Sequence, residues 1–253
     1  MIDLSNKIII IFGSEGKIGS DLIKKISKFN CIIYACDNSF KKKLNVFNFN
    51  NAKKIEYKFD ITKENNFHSL VRYTINKNHR VDAIVHCAYP KTNNWGVKIE
   101  DADFKDLKKN IEMQLSSTVL MSKIFFNYFK KNHKGKIILF SSIYGVILPD
   151  FEIYDKDYIS PIEYSIIKSG IITLVKYLAK YSKNLNINVN CISPGGIKDS
   201  SQGKIFKRKY KNLSLNKGLL DPTDITDTVL FLLSDSSKYI NGQNIVIDDG
   251  RSL

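Results

Sequence analysis

The sequence predicts an α/β chain, a single-domain doubly wound parallel sheet spanning residues 1–253. Apolar strand-like runs alternate with helix-periodic segments from end to end, with no linker, repeat or shift in composition. The first run, KIIIIF at residues 7–12, ends at a glycine loop that opens a helix, the context of a phosphate-binding turn. A chain of 253 residues, 43% of them apolar, can also bury one sizeable core.

In the loop GSEGKIG, Gly13 permits the tight turn, Gly16 lets backbone amides approach a pyrophosphate, and Gly19 allows close helix packing. Lys17 and Ile18 begin the helix whose N-terminus favours that anion. The second strand, 31–36, ends at Asp37, eighteen residues beyond Gly19, where a carboxylate would accept hydrogen bonds from an adenosine ribose. Such a carboxylate repels a 2′-phosphate and so favours NAD, although Lys41, Lys42 and Lys43 keep NADP open. A third strand at 54–59 delivers Asp60 and Ile61 to the adenine side, and a helix over about 63–78 leads to a strand at 81–85 followed by His86-Cys87-Ala88-Tyr89. His86 reads as a strand-end histidine satisfied by its neighbours.

Residues 101–131 read as one long helical region and 136–140 as a strand that delivers Ser141 and Ser142 to the crevice outside its carboxyl end. An acidic loop, 149–163, precedes a helix over 164–182. A strand at 187–192 ends in the turn Ser193-Pro194-Gly195-Gly196, residues 197–212 are polar and irregular or helical, 222–234 is helical, and 244–247 is the last strand.

Within the helix, Tyr164 and Lys168 lie four residues apart and so share a face. A phenol with a pKa near ~10 is a poor acid or base at neutral pH. A lysine cation beside it favours the phenolate, making the pair a proton donor and acceptor.

Together these motifs resemble the short-chain dehydrogenase/reductase family over essentially the full length: the glycine loop, Asp37, Asp60, the Ser141-Ser142 pair, YxxxK, SPGG and the closing INGQNIVIDDG occur in the family's order. The resemblance implies a Rossmann fold in which Ser142 polarises a carbonyl or holds an alcohol, Tyr164 exchanges the proton, and Lys168 binds the nicotinamide ribose and lowers the phenol's pKa. It places Cys87, Ala88, Pro194, Gly195 and Ile197 along the cofactor. The family's helix asparagine, which holds a water in the proton relay, matches Gln114 or, one turn earlier, Asn110. Residues 197–220 correspond to the segment that closes over substrate.

Departures from the family pattern are specific. The glycine spacing GxxGxxG is shared with sugar-nucleotide epimerases and dehydratases, and the NNAG strand-end motif reads His86-Cys87-Ala88-Tyr89. Ser142 and Tyr164 are 22 residues apart. That long loop, the PxEY entry to the helix, and SPGGI followed by Gln202, Phe206 and Tyr210 resemble a subgroup linked to bacterial surface-sugar and flagellin-glycan biosynthesis. The expected activity is hydride transfer between a nicotinamide cofactor and an alcohol or ketone carbon of a small, sugar-like molecule, phosphorylated or nucleotide-linked. The alternatives are an epimerase or dehydratase using bound NAD, and a catalytically silent NAD-binding regulator.

Composition limits the partners. The net charge of +14 arises from 39 Lys and Arg against 25 Asp and Glu, but it is lysine spread along an Asn- and Ile-rich chain, so nucleic acid is not expected. No apolar run approaches the roughly 18 residues of a membrane helix and no signal-peptide pattern precedes the first strand, which predicts a cytoplasmic protein. Cys31, Cys36, Cys87 and Cys191 lack metal-site spacing and read as buried thiols, and no metal is expected. Aromatic residues along the two long helices, Phe125, Phe126, Tyr128, Phe129, Tyr177 and Tyr181, predict an intersubunit bundle in a homodimer or homotetramer. Six cations between Lys198 and Lys211 against one acid predict a flap that clamps an anionic substrate. The facing loop, with Asp150, Glu152, Asp155, Asp157 and Glu163 against Lys156, offers those cations an alternative pairing.

Overall fold

Ile8, Ile10 and Phe12 of the first strand face one layer of helices, while Ile9 and Ile11 face the other. This two-residue alternation within an unbroken apolar run is what a sheet covered on both sides requires. The structure, a computed structural model, describes residues 2–154 and 158–253. Its strands are β1 (Ile8–Phe12), β2 (Ile32–Asp37), β3 (Leu44–Phe49), β4 (Ala52–Lys58), β5 (Ala83–His86), β6 (Lys134–Phe140), β7 (Asn186–Pro194) and β8 (Asn244–Ile247). Its helices are α1 (Lys17–Ile26), α2 (Glu64–Asn78), α3 (Phe104–Ile111), α4 (Ser117–Asn132), α5 (Ile162–Tyr181), α6 (Lys204–Asn212) and α7 (Thr223–Leu233).

The strands form one sheet in the order β3-β4-β2-β1-β5-β6-β7-β8. β1 lies between β2 and β5, so the chain reverses its winding direction there and opens a crevice at the carboxyl ends of β1 and β5. The walls are close: a Cβ on Gly13, whose φ is +76°, would sit 2.5 Å from the Ala88 nitrogen. Residues of α2, α4 and α5 cover one face, where Phe67, Phe125 and Ile171 are buried, and α1 and α7 cover the other with Leu22, Ile26 and Val229.

Three expectations require correction. The sheet is not wholly parallel, because β3 pairs antiparallel with β4 as a hairpin at one edge. No residue of β3 is buried, and Leu44 and Val46 are exposed, as befits an edge strand open to solvent. The long helical region is interrupted by a π-helical turn at Glu112–Ser116 between α3 and α4. Phe125, Phe126 and Phe129 are buried against the sheet and Tyr128 packs beside them, leaving only Tyr177 and Tyr181 of the proposed interface aromatics exposed.

Cys31, Cys36 and Cys191 are buried free thiols and Cys87 is half-buried. No helix among the described residues is long and apolar enough to cross a membrane.

Candidate active site

The end of β6 and the first turns of α5 are held together around Lys168. Ser141 Oγ donates to the Lys168 carbonyl at 2.8 Å, and Lys168 Nζ donates to the Phe140 carbonyl at 3.1 Å. A Cβ on Gly145 would lie 2.7 Å from the Lys168 carbonyl carbon, so only glycine lets the turn after β6 approach the helix this closely. Ser142 caps that turn by accepting from the Tyr144 amide at 3.2 Å, and its hydroxyl lies close enough to the Tyr164 phenol to lower that phenol's pKa. The structure thus brings Ser142, Tyr164 and Lys168 together, with the Lys168 ammonium 5.5 Å from the Tyr164 ring centre.

Burial sets the protonation states here. It pushes the Tyr164 phenol up to about 12, with the Ser142 hydroxyl pulling the other way. Burial also brings the Lys168 ammonium down to about 8. Desolvation therefore outweighs the stabilisation of phenolate expected from the lysine. A neutral phenol beside a serine hydroxyl can donate a proton to an oxygen held by both.

The two amides considered for the family's helix asparagine have different environments. Asn110 is fully engaged: Nδ2 donates to Glu163 Oε1 at 2.9 Å and Thr92 Oγ1 at 3.2 Å, while Oδ1 accepts from the Thr92 amide at 2.9 Å. Gln114 lies within the π-helical turn, donates through Nε2 to the Pro90 carbonyl at 2.8 Å, and keeps a buried Oε1 with no partner among the described residues. Such turns widen a helix where backbone and side chains are needed for other contacts. Thr118 Oγ1 donates to the Gln114 carbonyl, so the remaining bond, 3.0 Å to His86, is donated by His86 Nε2. Nδ1 of His86 is then a bare buried acceptor, contrary to the expected satisfied ring. Burial, aided by Lys168, lowers the imidazole to about 3 and keeps it neutral.

The glycine loop and Asp37 form a second cluster. Among the described residues no side chain caps the N-terminus of α1 at Gly16, leaving its first-turn amides free of a side-chain partner at the carboxyl end of β1. Asp37 Oδ2 accepts from the Glu15 amide at 3.0 Å, and Oδ1 accepts from the amide and hydroxyl of Ser39 at 3.0 and 2.7 Å. These features fit a dinucleotide: an uncapped helix end for its phosphates and a fixed carboxylate at the end of β2 for a ribose diol. Other predicted positions have local partners. Asp60 Oδ1 accepts from the Thr62 amide and hydroxyl, Ile61 is buried, and Lys17 bonds the Lys198 carbonyl and Asp199 carboxylate. Cys87 and Ala88 follow β5 beside Gly13. Pro194 ends β7, the Gly195 amide donates to Ile247 at 2.8 Å, and Ile197 is bridged to Leu220.

The other side of the crevice is aromatic. Trp95 and Tyr89 meet Tyr164 edge-on at 5.8 and 5.7 Å, Tyr144 does so at 6.3 Å, and Phe206 and Tyr210 of α6 pack in the same cluster. The cationic flap is arranged differently from expectation: Lys207 and Arg208 are exposed, Lys198 pairs with Asp221 at 2.8 Å, and Lys209 donates to the Glu152 carbonyl at 2.6 Å. Asp155, Lys156 and Asp157 of the acidic loop lie outside the described residues. Sequence reasoning missed Trp95 and Arg251, and read Glu163 only as an acidic-loop partner for the cations rather than as the partner of Asn110. Trp95 is the chain's single tryptophan and Arg251 one of four arginines in a lysine-rich chain, which are the signals that would have singled them out.

A family model described as Enoyl-(Acyl carrier protein) reductase matches residues 17–252. The chain is 36% identical to the Post-translational flagellin modification protein A of Campylobacter coli, over 99% of this chain and 100% of that protein. It is 25% identical to a 7alpha-hydroxysteroid dehydrogenase of Bacteroides fragilis over 98% of this chain and 95% of that one. A crystal structure of a short chain dehydrogenase from Leptospira borgpetersenii with bound NAD+ superposes with a TM-score of 0.86 at 30% identity, covering 99% of this chain and 94% of that one.

Proposed function

The chain belongs to the short-chain dehydrogenase/reductase family, and from this premise we propose that Ser142, Tyr164 and Lys168 are the catalytic residues of an NAD-dependent oxidoreductase acting on a sugar-like alcohol or ketone. The observation that carries the reading is the convergence of the Ser142 hydroxyl and the Tyr164 phenol at the carboxyl end of β6, with the Lys168 ammonium 5.5 Å from the Tyr164 ring centre. A bound nicotinamide supplies the hydride donor or acceptor. Ser142 and Tyr164 converge on the reacting oxygen, where Ser142 stabilises developing negative charge and Tyr164 delivers or removes the proton. Lys168, held by the Phe140 carbonyl, carries the ammonium that holds the nicotinamide ribose. Gln114, with its free Oε1, takes the role of the family's helix asparagine, and Asn110 serves the scaffold.

The preference for NAD rests on Asp37, which presents a fixed carboxylate where NADP carries a phosphate, while Lys41, Lys42 and Lys43 are exposed. Gly13, Gly16, Gly19, Asp60, Ile61, Cys87, Ala88, Pro194, Gly195 and Ile197 complete the cofactor cleft. The sugar-like substrate is supported by the long loop before Tyr164, by the similarity to a flagellin modification protein, and by the aromatic rings of Tyr89, Trp95 and Tyr144 around the phenol. Free thiols accord with work in the reducing cytoplasm. Exposed Ile162, Ile166, Tyr177 and Tyr181 on α5 support a homo-oligomer assembled through that helix.

A panel of keto and hydroxy sugars, neutral, phosphorylated and nucleotide-linked, followed at the NADH absorbance, tests the reading. Stoichiometric change in NADH is expected with at least one sugar. Product without net NADH change would identify an epimerase or dehydratase, and cofactor binding with no conversion a silent regulator.

A further inference from the structure

Arg251 follows the last strand, in the turn that closes the sheet, and its side chain is only 8% exposed. Among the described residues, its Nε and Nη2 are buried with no hydrogen-bond partner. Asp150 Oδ2 stands 4.0 Å from Nη2, beyond hydrogen-bond reach. Asp150 Oδ1 is already engaged by the Glu152 amide at 3.0 Å. Asp248, the other carboxylate nearby, accepts from the Gly250 and Ser252 amides at 3.0 and 2.8 Å. A guanidinium cannot shed its proton, so enclosing one without hydrogen-bond partners is costly unless another group supplies the acceptors.

Its position indicates what that group is attached to. The guanidinium lies 5.8 Å from the Tyr210 ring centre, and although burial raises both the Tyr210 and Tyr144 phenols, the nearby Arg251 charge pulls each partly back down. Tyr144 contacts the Tyr164 ring and bonds Tyr154 through its hydroxyl at 2.9 Å. The Tyr144 phenol thus lies within electrostatic range of the cation, and its ring packs against Tyr164 beside Ser142. The lysines and Arg208 on α6 offer no comparable site, since Lys207 and Arg208 are exposed while Phe206 and Tyr210 face the cluster.

We propose that Arg251 is the substrate's anion anchor: it takes a carboxylate or phosphate group of the molecule whose reacting oxygen lies at Ser142 and Tyr164. This rests on the oxidoreductase reading of the cleft and adds the substrate's charge class. The planar fork suits two-point binding of either anion, and Asp150 at 4.0 Å acts as a resident competitor that substrate displaces. The competing explanation is a latch in which Arg251 and Asp150 only join the loop after β6 to the closing turn.

Calorimetric titration of the NAD-loaded protein with inorganic phosphate, glucose, glucuronate and glucose 6-phosphate separates the two. Phosphate alone should bind the natural chain and lose at least tenfold in affinity in Arg251→Met, with part of the loss restored in Arg251→Lys. At least one acidic sugar should exceed glucose by a similar factor, glucuronate or glucose 6-phosphate identifying carboxylate or phosphate. Asp150→Asn, at the edge of the site, should tighten the anions and leave glucose unchanged. Equal phosphate affinity in the natural chain and Arg251→Met overturns the proposal whatever the sugars do. Should Arg251→Met not fold, Asp150→Asn decides: lower Tm with unchanged or weaker anion binding establishes the latch and overturns the anchor. Phosphate binding that depends on Arg251, with no sugar binding better than phosphate itself, keeps the anchor and rejects the sugar-like substrate.

Discussion

Asn110 Nδ2 donates to the buried Glu163 carboxylate at 2.9 Å, tying α3 to the first turn of α5 one residue before Tyr164. Both N–H donors and the carbonyl oxygen of the Asn110 amide are engaged, by Thr92 and Glu163. Removing it strands a buried carboxylate oxygen, and Asn110→Ala should cost about 1–3 kcal/mol of stability. Gln114→Ala should behave in the opposite way, with stability changed by less than about 1 kcal/mol but kcat reduced roughly tenfold or more. Denaturant unfolding and steady-state kinetics on both variants check this contrast. Similar profiles for the two would show that the amides do not divide scaffold from chemistry.

Tyr164→Phe keeps the ring that Tyr89, Trp95 and Tyr144 pack against and removes only the exchangeable proton. Its kcat should fall about 10²–10⁴-fold. NADH affinity, measured by fluorescence, should remain within about twofold. Near-normal turnover in this variant would dismiss Tyr164 as the proton donor.

Lys168 is buried and its ammonium titrates near pH 8, so it is charged below that value and neutral above it. If the ammonium holds the ribose, NADH affinity in the natural chain should weaken as pH rises from 7 to 9.5, whereas Lys168→Met should bind weakly and show no such dependence. The same shift bears on folding. The ordinary lysine value lies near ~10.5, so the unfolded chain binds more protons between about 8 and 10.5, and this residue's burial penalty is relieved as pH rises through that window. A pH-independent NADH dissociation constant in the natural chain would argue against ribose binding by Lys168.

Tyr177 and Tyr181 stack with an interplanar angle of 7° and are 65% and 59% exposed on α5. A two-fold contact through this face would cover them. Light scattering at micromolar concentration should give twice or four times the 29.0 kDa chain mass, and Tyr177→Glu/Tyr181→Glu should shift it toward monomer. A monomeric mass for the natural chain decides against the assembly.

Local patterns made much of this molecule legible. The unbroken apolar run of β1 encodes burial on both faces, and the four-residue spacing of Tyr164 and Lys168 encodes their shared helix face, because each is a short-range consequence of backbone geometry. What remained hidden depends on contacts between distant segments. Phe125, Phe126 and Phe129 are as apolar as interface residues, and only the placement of α4 on the sheet assigns them to the core. The π-helical turn leaves no periodicity signal that separates Gln114 from Asn110. The Tyr164 pKa was anticipated from its lysine neighbour, yet enclosure by three other aromatic rings governs it.

The four cysteines offer a use unrelated to catalysis. Burial raises the Cys31 and Cys191 thiols to about 12 and pushes Cys36 and Cys87 upward as well, so the reactive thiolate is scarce while the sheet is intact. Cys31 immediately precedes β2 and Cys36 lies within it, Cys87 follows β5 and Cys191 lies in β7. Alkylation at each position is therefore a native clock for local opening, able to show whether the cofactor half and the closing half of the sheet come apart together or in turn.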